Sequence, residues 1–118
     1  MPLYVYNLYE DEKAYAEGGA ANFDAVMKLH QDFSKIVADS GAKIVAGEAL
    51  QPSSTASFLR NTCTDKVQAV DNPLPELKET LGGFYVVDVK DEAQAMELAR
   101  SVPAPHGFVE VRPVWEFS

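Results

Sequence analysis

Phe23-Asp24-Ala25-Val26-Met27-Lys28-Leu29-His30-Gln31-Asp32-Phe33-Ser34-Lys35-Ile36-Val37-Ala38-Asp39 is the stretch from which the fold can be read. Phe23, Val26, Met27, His30, Phe33 and Val37 fall on the i, i+3, i+4, i+7 rows of one helical face, while Lys28, Gln31, Asp32, Lys35 and Asp39 lie off it. Asn22 stands where an N-cap is wanted and Gly41 where a left-handed C′ residue would close the helix. The spacing predicts a helix of about five turns.

On either side of this helix the helical period is lost and short apolar runs take its place. Leu3 to Tyr9, rich in Val, Tyr and Leu, reads as a first strand joined to the helix by an acidic connection that ends near Asn22. Lys43 to Leu50 reads as a second strand, ended by the turn Gln51-Pro52-Ser53-Ser54. Thr55 to Asn61 and Lys66 to Val70 form an expected hairpin around the polar tip Thr62 to Asp65. After the connection Asp71-Asn72-Pro73-Leu74-Pro75 and the charged run Glu76-Leu77-Lys78-Glu79, Phe84 to Val89 is a strand of β-branched and aromatic residues. Asp91 opens a second helix whose apolar face is Ala95, Met96 or Ala99, Leu98 and Val102, with Pro103 and Pro105 ending it. Phe108 to Phe117 is the final strand. Strand, helix, strand, hairpin insertion, strand, helix, strand is the order of an α+β fold of the ferredoxin-like, split βαβ type, an antiparallel sheet with both helices on one face.

Such a sheet should alternate cleanly between apolar and polar if its second face met water. Leu3-Tyr4-Val5-Tyr6, Ile44-Val45-Ala46 and Phe84-Tyr85-Val86-Val87 do not alternate. The simplest cover for the second face is a copy of the same sheet, so a face-to-face homodimer is expected.

Length and charge bound the function. The 118 residues suit one domain, taken as 1-118, and 47% hydrophobic with 24% charged residues is ordinary for a globular chain. A formal net charge of -8 with scattered basic residues excludes a nucleic-acid surface and a polybasic membrane patch. The apolar start runs directly into Glu10-Asp11-Glu12 and is too short for a secretory signal. Cys63 has no partner in the chain, which fits a reducing cytoplasm.

Six residues stand out as chemistry. His30 sits inside an apolar stripe, where an imidazole needs a partner and can serve as acid or base near neutral pH; a backbone-bonded boundary histidine is the plainer alternative. Asp71 ends a strand before an Asn-Pro turn, where composition favours a carboxylate that caps the turn over a functional one. Glu110 and Arg112 share one face of the last strand as an expected ion pair. Glu48 interrupts an apolar run, either paired with Arg112 or at the rim, and Lys78 belongs to a charged run with Glu76 and Glu79 that could orient a ligand but by its spacing reads as a solvated connection. His30, Cys63 and His106 lack metal-site spacing, Gly18-Gly19 and Gly82-Gly83 lack that of a phosphate loop, and no cofactor is expected.

Met27, His30 and Phe33, then Gly47-Glu48-Ala49-Leu50, Asp71 to Glu79, Gly82-Gly83-Phe84-Tyr85 and Val109-Glu110-Val111-Arg112-Pro113-Val114 together resemble the YCII-related family, in its DGPF-domain branch. The resemblance covers nearly the whole chain and implies a ferredoxin-like protomer of the dimeric α+β barrel superfamily. It also implies that His30 and Asp71 correspond to the family's proposed catalytic pair. The branch's Gly is here Asn72, which tolerates a turn conformation, and its Phe is here Leu74, which removes a flat wall from any pocket there.

Two functions are expected to compete. One is a cofactor-free enzyme on a small organic molecule, with His30 as general acid or base, Asp71 orienting it and favouring its charged form, and Arg112, Glu48 and Lys78 contacting substrate. The other is a non-catalytic ligand-binding or regulatory module using the same pocket.

Overall fold

The computed structural model describes residues 2–117. Strands β1 (Leu3–Glu10), β2 (Lys43–Ala49), β5 (Thr80–Asp88) and β6 (Gly107–Pro113) form a sheet in the order β2-β5-β1-β6. Every neighbouring pair is antiparallel. Helix α1 (Glu12–Asp39) carries the chain from β1 to β2, and α2 (Glu92–Ala99) carries it from β5 to β6. Each crossover skips one strand, so β1 and β5 lie at the centre, as the ferredoxin-like arrangement requires. The hairpin insertion is β3 (Phe58–Arg60) with β4 (Gln68–Val70), a separate two-stranded sheet.

Alternation along β1 sorts the sheet into two faces. Tyr4, Tyr6, Leu8 and Glu10 are buried, whereas Leu3, Val5, Asn7 and Tyr9 are half-buried on the other side. The core lies on the first face, where Tyr6, Val87 and Val89 of the sheet region meet Phe33 and Val37 of α1 and Ala95 and Leu98 of α2. Full burial of side chains such as Phe33, Val37 and Val87 is worth about 1.5–3 kcal/mol each. Tyr6 takes its hydroxyl into this core and donates it to the Ala95 carbonyl at 2.6 Å, while its ring meets Phe33 edge to face.

Five elements differ from the sequence reading, two of them the hairpin strands, which are shorter than the expected Thr55 to Asn61 and Lys66 to Val70 because Thr55 lies in a 3-10 turn and the tip is wider. Helix α1 begins at Glu12, capped by the Asp11 side chain accepting from the Lys13 amide at 3.0 Å, not at Asn22. The acidic connection is therefore helical, and Gly19, at φ 68° and ψ -165°, breaks the helix into two segments. Strand β5 starts at Thr80 rather than Phe84, because Gly83 pairs within the ladder and the register shifts past Gly82 instead of ending there. Strand β6 stops at Pro113, leaving Trp115 and Phe117 exposed and stacked on each other. Asp91 caps α2 as expected, and Gly41, at φ 84°, follows the end of α1. On α2 the apolar face is completed by Ala99, since Met96 is exposed.

Glu12 also fastens the insertion to the body of the protein. Its carboxylate accepts from the Ser53 amide at 2.6 Å and the Ser53 hydroxyl at 2.9 Å, in the short 3-10 turn Ser53–Thr55. These bonds, the amide first, hold its carboxyl below the usual range.

Candidate functional site

A cavity of about 350 Å³ opens between α1 and the sheet. Its floor is bare because three of the sheet residues beneath it are glycines: Gly47 on β2, and Gly82 and Gly83 on β5. Two of these glycines are required by their surroundings. A Cβ on Gly47 would stand 2.7 Å from the Tyr85 ring, and one on Gly83 would stand 2.9 Å from the Glu48 carbonyl oxygen. The walls come from the two segments of α1, Tyr15 before the break at Gly19 and Phe23, Val26, Met27 and His30 after it.

His30 lies on the wall with its Nδ1 2.5 Å from the Tyr85 hydroxyl. Tyr85 is held in turn by Phe33, ring centroids 4.9 Å apart. Burial pushes the His30 imidazole below its ordinary value and the Tyr85 phenol above its own. A neutral ring and a protonated phenol therefore face each other at pH 7. Whichever of the two donates, Nε2 is left for a ligand, as a donor or as a lone pair.

At the other side of the cavity, Tyr15 donates its hydroxyl to Glu10 Oε1 at 2.8 Å, and Glu10 Oε2 accepts the His106 amide at 3.2 Å. Glu10 is buried, and the Tyr15 ring packs edge to face on His106. Burial and the adjoining carboxylate push the Tyr15 phenol upward.

Of the residues singled out from the sequence, the structure puts only His30 into this cavity with its side chain. Asp71 is exposed just after β4 and does not line it. The orientation expected of Asp71 is instead provided by Tyr85, and the ring is biased toward its neutral form, opposite to what a carboxylate partner would do. Glu48 borders the cavity, but Gly47 pairs with Tyr85 and Glu48 with Phe84, so alternation sends the Glu48 side chain to the opposite face. Arg112 lies on β6, at the far edge of the sheet from β2, and pairs with Glu110 rather than Glu48. Asn7 of β1 donates to the same Glu110 carboxylate at 2.9 Å. Lys78 and Leu74 are exposed and outside the lining. Among the described residues no Lys or Arg lines the cavity.

Tyr85 and Tyr15 were not expected from the sequence. Tyr85 stands in an apolar strand and looked like packing, and Tyr15 stands in a segment read as a connection. The signal for Tyr85 was the glycine opposite it, since a bare strand position invites a ring from the paired strand. Among the described residues no group of three or more His, Cys, Asp or Glu is arranged to hold a metal, and no helix is long and apolar enough to cross a membrane.

A family model describing the YCII-related domain matches residues 3–118. An uncharacterised protein of Rhizobium meliloti (strain 1021) is 28% identical over 115 residues, a match covering 95% of this chain and 91% of that protein.

Proposed function

We propose that this chain, which belongs to the YCII-related domain family, binds a small, uncharged, mostly apolar organic molecule between α1 and the glycine floor, and that His30 acts on it as a neutral acid or base. The observation that carries this reading is His30 itself: an imidazole depressed by burial, fixed by Tyr85, in a cavity without a cationic side chain. An anionic substrate would lose its hydration there with no compensating charge. The His30–Asp71 pair suggested by the family resemblance gives way in this reading to His30–Tyr85, and the turn after Asp71 is capped by Asn72, whose Oδ1 accepts from the Leu74 amide at 2.8 Å.

Ligand-induced thermal shift against neutral phenols, lactones and esters, matched with carboxylates of the same shape, tests it. Neutral compounds should raise the midpoint of wild type, since a ligand at a hundred times its Kd adds about 2.7 kcal/mol. Carboxylates should not. Equal stabilisation of His30→Ala would remove His30 from the site. Stabilisation that needs His30, with no ligand ever converted, would favour the non-catalytic module.

The protein acts, in this proposal, as a homodimer in the cytoplasm. Cys63, exposed and unbridged, fits a reducing compartment. For the dimer the support is area. The chain exposes 8453 Å² where a compact monomer of 12.9 kDa would expose roughly 6,300 Å². Its radius of gyration is 16.4 Å against about 13.5 Å for a compact domain of this length, and its shortest extent is 18 Å, one sheet and one helix layer. The excess, roughly 2,000 Å², exceeds the roughly 800 Å² that each partner contributes to a standard interface. On the face away from the helices stand Val5, Tyr9, Phe84, Val86 and the half-exposed Phe108. Sedimentation at micromolar concentration should give twice the chain mass, and a wild-type monomer would end this part of the proposal.

A further inference from the structure

Tyr15 sits in the cavity wall without a role in the reading above, and its surroundings are more elaborate than packing requires. Its hydroxyl hydrogen is taken by Glu10, whose other oxygen is occupied by the His106 amide. The phenolic oxygen thus keeps lone pairs and has no hydrogen left to give. A group in that state can only accept from a ligand. The arrangement is held on both sides, since Glu10 is buried at the end of β1 and the ring leans on His106.

The two polar poles of the cavity are well separated. Tyr85, the partner of His30, pairs with Tyr6, whereas Glu10, the partner of Tyr15, lies four residues further along β1 at the end of the strand. Between them lie Leu8, Val26 and the bare backbone of Gly82 and Gly83. A flat apolar surface between a neutral imidazole and an acceptor oxygen matches a planar molecule with a hydroxyl or N–H at one end.

We propose that Tyr15, held by Glu10, is a second ligand-binding residue, its oxygen accepting a hydrogen bond from the hydroxyl of an uncharged planar ligand whose apolar body lies over the glycine floor. The inference rests on the pocket reading above and adds the ligand class and the residue that selects it.

Titration of 2-naphthol and 2-methoxynaphthalene into wild type, Tyr15→Phe and His30→Ala tests it, because the two probes share a body and only the first can donate. Wild type should prefer 2-naphthol by about fivefold to tenfold, the value of one hydrogen bond. Tyr15→Phe should bind both probes alike, while His30→Ala keeps the preference. A preference that survives in Tyr15→Phe overturns the inference and leaves the pocket standing; binding of neither probe to wild type overturns both. A measurement independent of any variant is the NMR resonance of the Tyr15 Cζ in wild type. It should move on adding 2-naphthol much more than on adding 2-methoxynaphthalene, and equal movement would count against the proposal.

Discussion

One face of one sheet, under one helix, is solid at one end and hollow at the other. At the solid end Tyr6, Val87 and Val89 meet Phe33, Val37 and the small α2 in one buried cluster. At the hollow end the same sheet presents Gly47, Gly82 and Gly83 to α1, and a cavity lies between. Both ends are lined largely by apolar residues, so hydrophobicity does not distinguish them. Side-chain volume does. A helix laid across a sheet touches it only where side chains fill the gap, and three glycines are enough to turn a core into a site.

The sharpest way to break this contrast is to hollow the solid end. Phe33→Ala should cost about 3–5 kcal/mol, read by urea denaturation, because Phe33 is fully buried and supports both Tyr6 and Tyr85. A cost below 1 kcal/mol would mean that the core collapses onto the gap and that its packing is not specific.

Filling the hollow end should show a difference between neighbouring glycines. Gly47→Ala drives a methyl into the Tyr85 ring, costing about 1–3 kcal/mol and disturbing the His30 resonances in an NMR spectrum. At Gly82 a new Cβ would meet nothing nearer than the Leu8 carbonyl oxygen at 4.0 Å, so Gly82→Ala should change stability by less than about 1 kcal/mol. Equal effects at both positions would contradict the account of the floor.

Hydroxyl removal compares the two ends more gently. Tyr6→Phe leaves the buried Ala95 carbonyl without its donor and should cost about 1–2 kcal/mol. Tyr85→Phe, whose partner His30 is only half-buried, should cost less than Tyr6→Phe and be felt mainly in ligand binding.

The smallest effect is on pH. His30 has a folded pKa below its unfolded value near 6.5, so the unfolded chain takes up the proton first. Its contribution is nil above both values, and stability falls as pH drops below about 6.5 until the folded pKa is passed. His30→Gln should flatten this part of the profile. Glu12 acts in a lower window, its carboxyl held below 4.5 by Ser53, so its contribution is present above that value and lost as pH falls through the folded pKa. A wild-type profile flat between pH 7 and 5 would contradict the burial of His30.

Much of this architecture was legible in the chain. The stripe Phe23 to Val37, the cap at Asp91, the Gly41 terminator and the apolar strands led to the element order, and the observed sheet order β2-β5-β1-β6 is what that topology requires. The first half of α1 was not legible, because Gly18-Gly19 interrupts a helix whose formers Glu12, Lys13, Ala14 and Ala16 would otherwise have marked it. In the site, His30 was found because a titratable group on an apolar stripe is locally anomalous. Its partner was not, since Asp71 and Tyr85 are both remote from it in sequence and only strand register decides which of them arrives.

Composition, period and caps, all properties of near neighbours along the chain, determined the order of the elements, the α+β class and the presence of one histidine out of place. Which ring holds that histidine, which carboxylate holds Tyr15, and that three glycines face the helix together are long-range facts. Strand pairing and the break at Gly19 decided them, because a side chain's partner depends on which face and which register it occupies, and neither is written in its immediate sequence.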